Sequence, residues 1–267
     1  MNQDEAERQQ RLVQLIDEWF ARTSAPPAEV QPGSELDEDD RATEYLHVSH
    51  MVTISLIHAV DHLHALRTLL VDARVLHTSA DFTLIRSGLE NAATAVWLLA
   101  PWHPQERRLR RLRLALADAK DAVEVFDMVK QPTRSLAERR ADVVDIAARS
   151  GIEERALGTR QPGFEAIVRA ASHHVGDGEL HQLVWKGCSG LAHGRQWATV
   201  ALLHGEEQSR EDNVTLRQVT AGHAFVINAA RSAGVLVGRA FQLLDHRRLH
   251  FRGTGPRLRP SWLVDPI

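Results

Sequence analysis

Cysteine is almost absent from this chain. Cys188 stands alone among 267 residues, so intrachain disulfides and clusters of thiolates around zinc are excluded. Lysine is nearly as scarce: of 32 residues that are Lys or Arg, only Lys120, Lys130 and Lys186 are lysines. Arg and Ala usage of this kind fits a GC-rich bacterial genome. Aromatics make up 5% of the chain and β-branched runs are few, which leaves little material for sheet. No strand pair, hairpin signal, tandem repeat or sustained heptad stands out. The longest strongly apolar stretch, residues 92–100, has about half the length that a bilayer crossing needs. The first ten residues, MNQDEAERQQ, are acidic and polar, unlike a signal peptide. A soluble, cytoplasmic protein with no membrane partner is expected. The formal net charge is −3, so no global field attracts nucleic acid, and any basic site must be local.

What is abundant is Ala, Leu, Arg and Glu, all strong helix formers. Residues 3–24 predict a first helix, with Leu12, Leu15, Ile16, Trp19 and Phe20 on one stripe. Residues 25–39 carry three prolines, a glycine and an acidic run, and predict a flexible linker. No proline or glycine interrupts residues 40–73, which allows one long helix with Val48, Val52, Leu56, Ala59, Leu63, Leu66 and Leu70 on its core side. A third helix runs from about Asp81 to Pro101 through Phe82, Ile85, Leu89, Ala92, Val96 and Ala100. Pro104 opens a fourth, to about Lys130, whose stripe is Leu109, Leu112, Leu116, Ala119, Val123 and Phe126. Ser135 and Glu138 form a capping box for a fifth, ending near Gly151. Residues 152–178 are broken by glycine and proline around a short helix at 164–174, and two helices follow at roughly 179–204 and 215–245. The expected fold is all-α: a bundle of about seven to eight helices with long antiparallel members. Its divisions are an N-terminal helix (1–24), a linker (25–39), the bundle (40–245) and an irregular basic tail (246–267).

Four groups of residues could carry chemistry. His47, His50, His58 and Asp61 lie within an arc of about 80° on the long second helix, and imidazole with carboxylate suits zinc, iron or manganese. Glu44 and His47 have the E-x-x-H spacing of carboxylate-bridged di-iron bundles, but no second such motif exists in the chain. A solvated or interfacial stripe is the competing reading. Arg86 and Glu90 stand one turn apart and can pair, either as a structural contact or as part of a buried polar network. Arg107, Arg108, Arg110, Arg111 and Arg113 crowd the start of the fourth helix, where cations oppose the macrodipole. They can hold phosphate or RNA backbone, or acids of a neighbouring helix.

The fourth group is Trp185-Lys186-Gly187-Cys188-Ser189-Gly190-Leu191-Ala192-His193-Gly194. Lys186, Ser189, His193 and Trp197 share one face of a helix. Three glycines inside a helix cost about 1 kcal/mol each relative to alanine, which implies close approach of another backbone or a ligand, unless the helix is interrupted here.

The run Arg86…Glu90…Trp97, followed by Trp185-Lys186…Ser189…His193-Gly194, resembles bacterial all-helical families of HEPN-like type. Many HEPN-type bundles are RNA-cleaving toxins or defence nucleases, often dimeric, with an R-x(4–6)-H motif on a late helix. The resemblance implies His193 as general acid/base, assisted by Lys186 in place of the motif arginine and by Ser189, with Arg86 and Glu90 on the earlier polar helix. Arg107, Arg108, Arg110 and Arg111 then hold phosphate, and the partners are RNA and a second copy of the chain. No cofactor is implied. Two other classes remain open: a non-enzymatic helical interaction protein, and a metal-dependent helical enzyme using His47, His50, His58 and Asp61.

Overall fold

The computed structural model describes residues 3–158, 162–211 and 214–250. Its helices are α1 (Gln3–Ser24), α2 (Glu35–Ala42), α3 (Val48–Arg67), α4 (Ala80–Leu99), α5 (Pro104–Met128), α6 (Leu136–Arg149), α7 (Glu154–Leu157), α8 (Phe164–Val175), α9 (Leu180–Ala192), α10 (Gln196–Leu202) and α11 (His223–Arg248). A π-helical turn, Thr68–Asp72, prolongs α3. Strands β1 (His204–Glu211) and β2 (Val214–Thr220) pair antiparallel ahead of α11, with an irregularity between Glu207 and Ser209.

The protein is built around α4. Phe82, Ile85, Leu89, Ala92 and Val96 are buried as their spacing predicts, and so are Ala93, Ala95, Leu98 and Leu99 on the remaining sides. A helix apolar nearly all round belongs at the centre of a fold, and α4 packs against α3, α11, α8 and α9. The contact with α3 is the most extensive, and Gly88 permits it. A Cβ there would stand 3.4 Å from the Ala59 carbonyl oxygen and 3.3 Å from Leu63 Cγ. A second, smaller core joins α5, α6 and α7 through Leu112, Ala115, Val143, Ile146, Ala147 and Leu157. The stripe on α5 fades toward its end, where Phe126 is exposed. The Ser135–Glu138 capping box forms as its spacing predicts.

Among the described residues there are eleven α-helices, not seven or eight, and each difference has a local cause. The acidic half of the expected linker is helix α2. Ser34 caps it by accepting from the Asp37 N–H, the first-turn acids oppose the helix dipole favourably, and Leu36 is fully buried. The helix expected over residues 40–73 is interrupted at 43–47, where Tyr45 takes φ +69°. The helix expected at 179–204 ends at His193. Gly194 turns the chain with φ +62°, a conformation glycine adopts without the Cβ penalty, and α10 starts anew. Residues 215–220 belong to the hairpin, so α11 begins only at His223. Of the expected irregular tail, His246, Arg247 and Arg248 complete α11, while residues 251–267 lie outside the described residues.

The acids of α2 explain its docking. Asp39, fully buried, accepts from Arg107 Nε at 2.5 Å and Arg108 Nε at 2.8 Å. Glu35 pairs with Arg247. Arg247 is itself fully buried and donates to the carbonyl oxygens of Leu99 at 2.7 Å and Pro101 at 3.0 Å. Burial, with Arg107 alongside, pushes the Arg247 pKa down to about 10. Burial also pushes Asp39 above the usual carboxylate range, against the pull of its two arginines.

Candidate functional site

Because α4 is buried on nearly every side, the ionic pair at its middle is drawn into the protein. Glu90 is only 8% exposed, and a carboxylate so placed needs charged and hydrogen-bonding partners. Glu90 Oε1 accepts from Arg86 Nε at 2.8 Å and from Trp185 Nε1 at 2.7 Å. Trp185 comes from α9, which packs on α4, and its ring lies 5.9 Å from Arg86 Cζ. The pair expected from i,i+4 spacing is thus one half of an interhelical network.

His193 closes that network from outside. Its backbone N–H caps α9 on the Ser189 carbonyl at 3.1 Å, and its Nε2 stands 2.7 Å from Arg86 Nη1. A guanidinium only donates, so Nε2 is the acceptor and the neutral ring carries its proton on Nδ1. The result is a chain from the buried Glu90 carboxylate through Arg86 to an exposed imidazole. Cys188 sits just inside, 1% exposed. Burial pushes its thiol up to about 12, so it offers no thiolate nucleophile at neutral pH.

Beside His193 runs a groove of about 510 Å³ between α9, α10 and the start of α11, lined by Trp185, Lys186, Ser189, His193, Arg195 and Trp197 among others. The glycines of α9 explain its shape. A Cβ on Gly190 would lie 2.7 Å from both Ala198 Cβ and Trp197 Cζ2, and one on Gly187 would lie 3.2 Å from Leu202 Cδ1. The close approach implied by the glycine stripe is that of α10, folded back onto α9 by the turn at Gly194.

The remaining expected residues fall in several places. Lys186 lines the groove but pairs with Glu165 of α8 at 2.7 Å. That hydrogen bond is the largest influence holding the Glu165 carboxyl below its usual range. Ser189 shares the groove and meets His193 through the backbone hydrogen bond. The arginines of α5 turn inward. Arg107 and Arg108 hold Asp39. Arg110 donates to the Trp97 carbonyl at 2.6 Å and to Glu106 at 2.8 Å. Arg111 donates to the His47 carbonyl at 3.2 Å, and Arg113 to that of Ala156 at 2.7 Å. The guanidinium cluster at the dipole-unfavourable end of α5 therefore latches α2, α7 and the 43–47 turn. It stands apart from the His193 groove, which none of these arginines lines. His47, His50, His58 and Asp61 are all exposed along α3. Among the described residues no three His, Cys, Asp or Glu side chains converge to hold a metal ion.

Glu165 and Arg195 are site residues that the sequence did not single out, and Trp185 stands in the motif without a role assigned to it. A signal for the role of Trp185 existed: Glu90, an acid inside an apolar stretch, demanded an N–H donor from a neighbouring helix. No protein-family model, no curated protein and no solved structure matches this chain.

Proposed function

We propose that this chain is a HEPN-like helical module that binds RNA and cleaves it, working as a homodimer. The observation that supports this reading best is the 2.7 Å contact between Arg86 Nη1 and His193 Nε2, beside a groove whose charged lining residues are Lys186 and Arg195. RNA carries its own nucleophile, the 2′-hydroxyl, next to every phosphodiester. In the proposed reaction Arg86 swings its Nη nitrogens from His193 to the non-bridging phosphate oxygens, which matches the planar fork of a guanidinium. Glu90 keeps hold of Arg86 Nε throughout. The movement frees His193 Nε2 to take the 2′-hydroxyl proton. The 2′-oxygen then attacks phosphorus and the bond from phosphorus to the 5′-oxygen of the next nucleotide breaks; that oxygen takes a proton from water, and His193 releases the proton it took to solvent, which leaves a 2′,3′-cyclic phosphate and a 5′-hydroxyl. Arg86 takes the phosphate-holding role expected of Arg107, Arg108, Arg110 and Arg111, and Lys186 contributes charge at the groove wall.

The test is incubation of purified protein with total RNA. Cleavage by wild type, lost in His193→Ala while the helical circular dichroism is kept, supports the reading; intact RNA with wild type sinks it. A non-enzymatic interaction module is the second reading. It is favoured by Leu183 on α9 and Val200 on α10, each 68% exposed. Its signature is an assembly that forms equally well with His193→Ala and leaves RNA uncut.

A further inference from the structure

We infer that Trp197 is a stacking platform for an unpaired base, so that the groove takes single-stranded RNA and rejects duplex; the inference rests on the RNA reading above. Trp197 is 54% exposed although it is the bulkiest apolar side chain of α10. Leaving that much indole in water is unfavourable, and Leu183, 68% exposed, lines the same groove; a contiguous exposed apolar patch with a polar rim marks a contact surface.

The indole is also fixed. Its Cζ2 would stand 2.7 Å from a Cβ on Gly190, so it lies against the bare backbone of α9 as no other residue at position 190 allows. Trp197 and His193 line the same groove. A rigid aromatic loses little conformational freedom when a base stacks on it.

The surrounding charge suits a nucleotide. Among the described residues no Asp or Glu lines the groove. Arg195, two residues along from His193 and two before Trp197, is exposed and makes no ion pair among the described residues. Its guanidinium can meet the phosphate next to a stacked base. Lys186 adds a second cation, partly satisfied by Glu165. The groove volume of about 510 Å³ lies within the range of small-ligand sites. A base in a duplex has both faces covered by its neighbours, so an indole can bind only one that is splayed out. Stacking of this kind tolerates any base, so cleavage shows little sequence preference.

The experiment uses the full chain and a fluorescein-labelled short oligoribonucleotide, either alone or annealed to its complement. Binding is read by anisotropy in a His193→Ala background, and cleavage in the wild-type background. Trp197→Phe keeps the aromatic face, and Trp197→Leu keeps apolar packing against Gly190 without it. The expected result is preference for the single strand, retained by Trp197→Phe and weakened roughly ten- to a hundredfold by Trp197→Leu. Equal binding by Trp197→Leu, or equal binding of duplex, overturns the base platform while leaving RNA cleavage standing. Failure of the wild-type chain to bind or cleave any RNA overturns both.

Discussion

Arg86 and His193, separated by 107 positions in the chain, meet at 2.7 Å across the junction of α4 and α9. Neither helix alone makes the contact. Glu90 fixes Arg86 from within, and Trp185 fixes Glu90 from the facing helix. The imidazole therefore sits at the outer end of a network whose inner end is buried. Its accepting nitrogen is defined by a partner that can only donate.

The fold of α10 onto α9 depends on the missing side chain at position 190. Gly190→Leu is expected to destabilise the protein by about 1–3 kcal/mol through overpacking against Ala198 and Trp197. Urea unfolding reads this directly, as a lower midpoint with an unchanged slope. Gly194→Ala acts differently, since nothing lies within 4 Å of the site and only its φ of +62° is strained.

The latch between α2 and α5 gives a larger effect. Arg107 is 1% exposed and Asp39 fully buried. Asp39→Ala leaves a buried guanidinium without its carboxylate, and a loss of roughly 3–5 kcal/mol is expected. The double variant Asp39→Leu with Arg107→Met is expected to be more stable than either single variant, because the fully buried guanidinium and its carboxylate go together and only Arg108, whose side chain is 16% exposed, loses a partner. A double-mutant cycle by thermal denaturation checks both statements.

Acid sensitivity has a named source in His181. Its Nδ1 lies 2.6 Å from Ser232 Oγ and its Nε2 2.9 Å from Asp177 Oδ2. Burial pulls its pKa below the ordinary histidine value, with Asp177 opposing. The unfolded chain therefore binds the proton more readily than the folded one. The stability this neutral histidine contributes is present in full above about pH 6.5, and is lost as pH falls from there through the lowered folded value. In His181→Gln that part of the stability loss is expected to disappear from a plot of unfolding free energy against pH.

Much of the architecture was legible because it is written at helical spacing. The stripes of α3 and α4, the Pro104 start of α5 and the Ser135–Glu138 box all depend on residues within a few positions of one another. Residues 35–42 misled because an acidic run next to prolines has the composition of a solvated linker. The arginines that neutralise it arrive from α5 and α11, far away in sequence. The β1–β2 hairpin was missed for the opposite reason. Most of its side chains are exposed, so β1 carries no apolar alternation, and the only available signals were β-branched residues at Val214, Thr215, Val219 and Thr220. At the site, the Arg86–Glu90 spacing was readable. The partner of Lys186 was not, since Glu165 lies on α8 and the pairing depends on how α8 meets α9.

Rate measurements on single-stranded RNA probe the Arg86–His193 unit most directly, using kcat/KM for wild type, Arg86→Gln, His193→Gln and the double variant. Residues that act as one unit are strongly non-additive. The expected outcome is that each single variant loses about a hundredfold or more, and that the double variant is no slower than the worse of the two. Fully additive losses, or single variants that cleave as fast as wild type, would show that the contact between Arg86 and His193 is structural only.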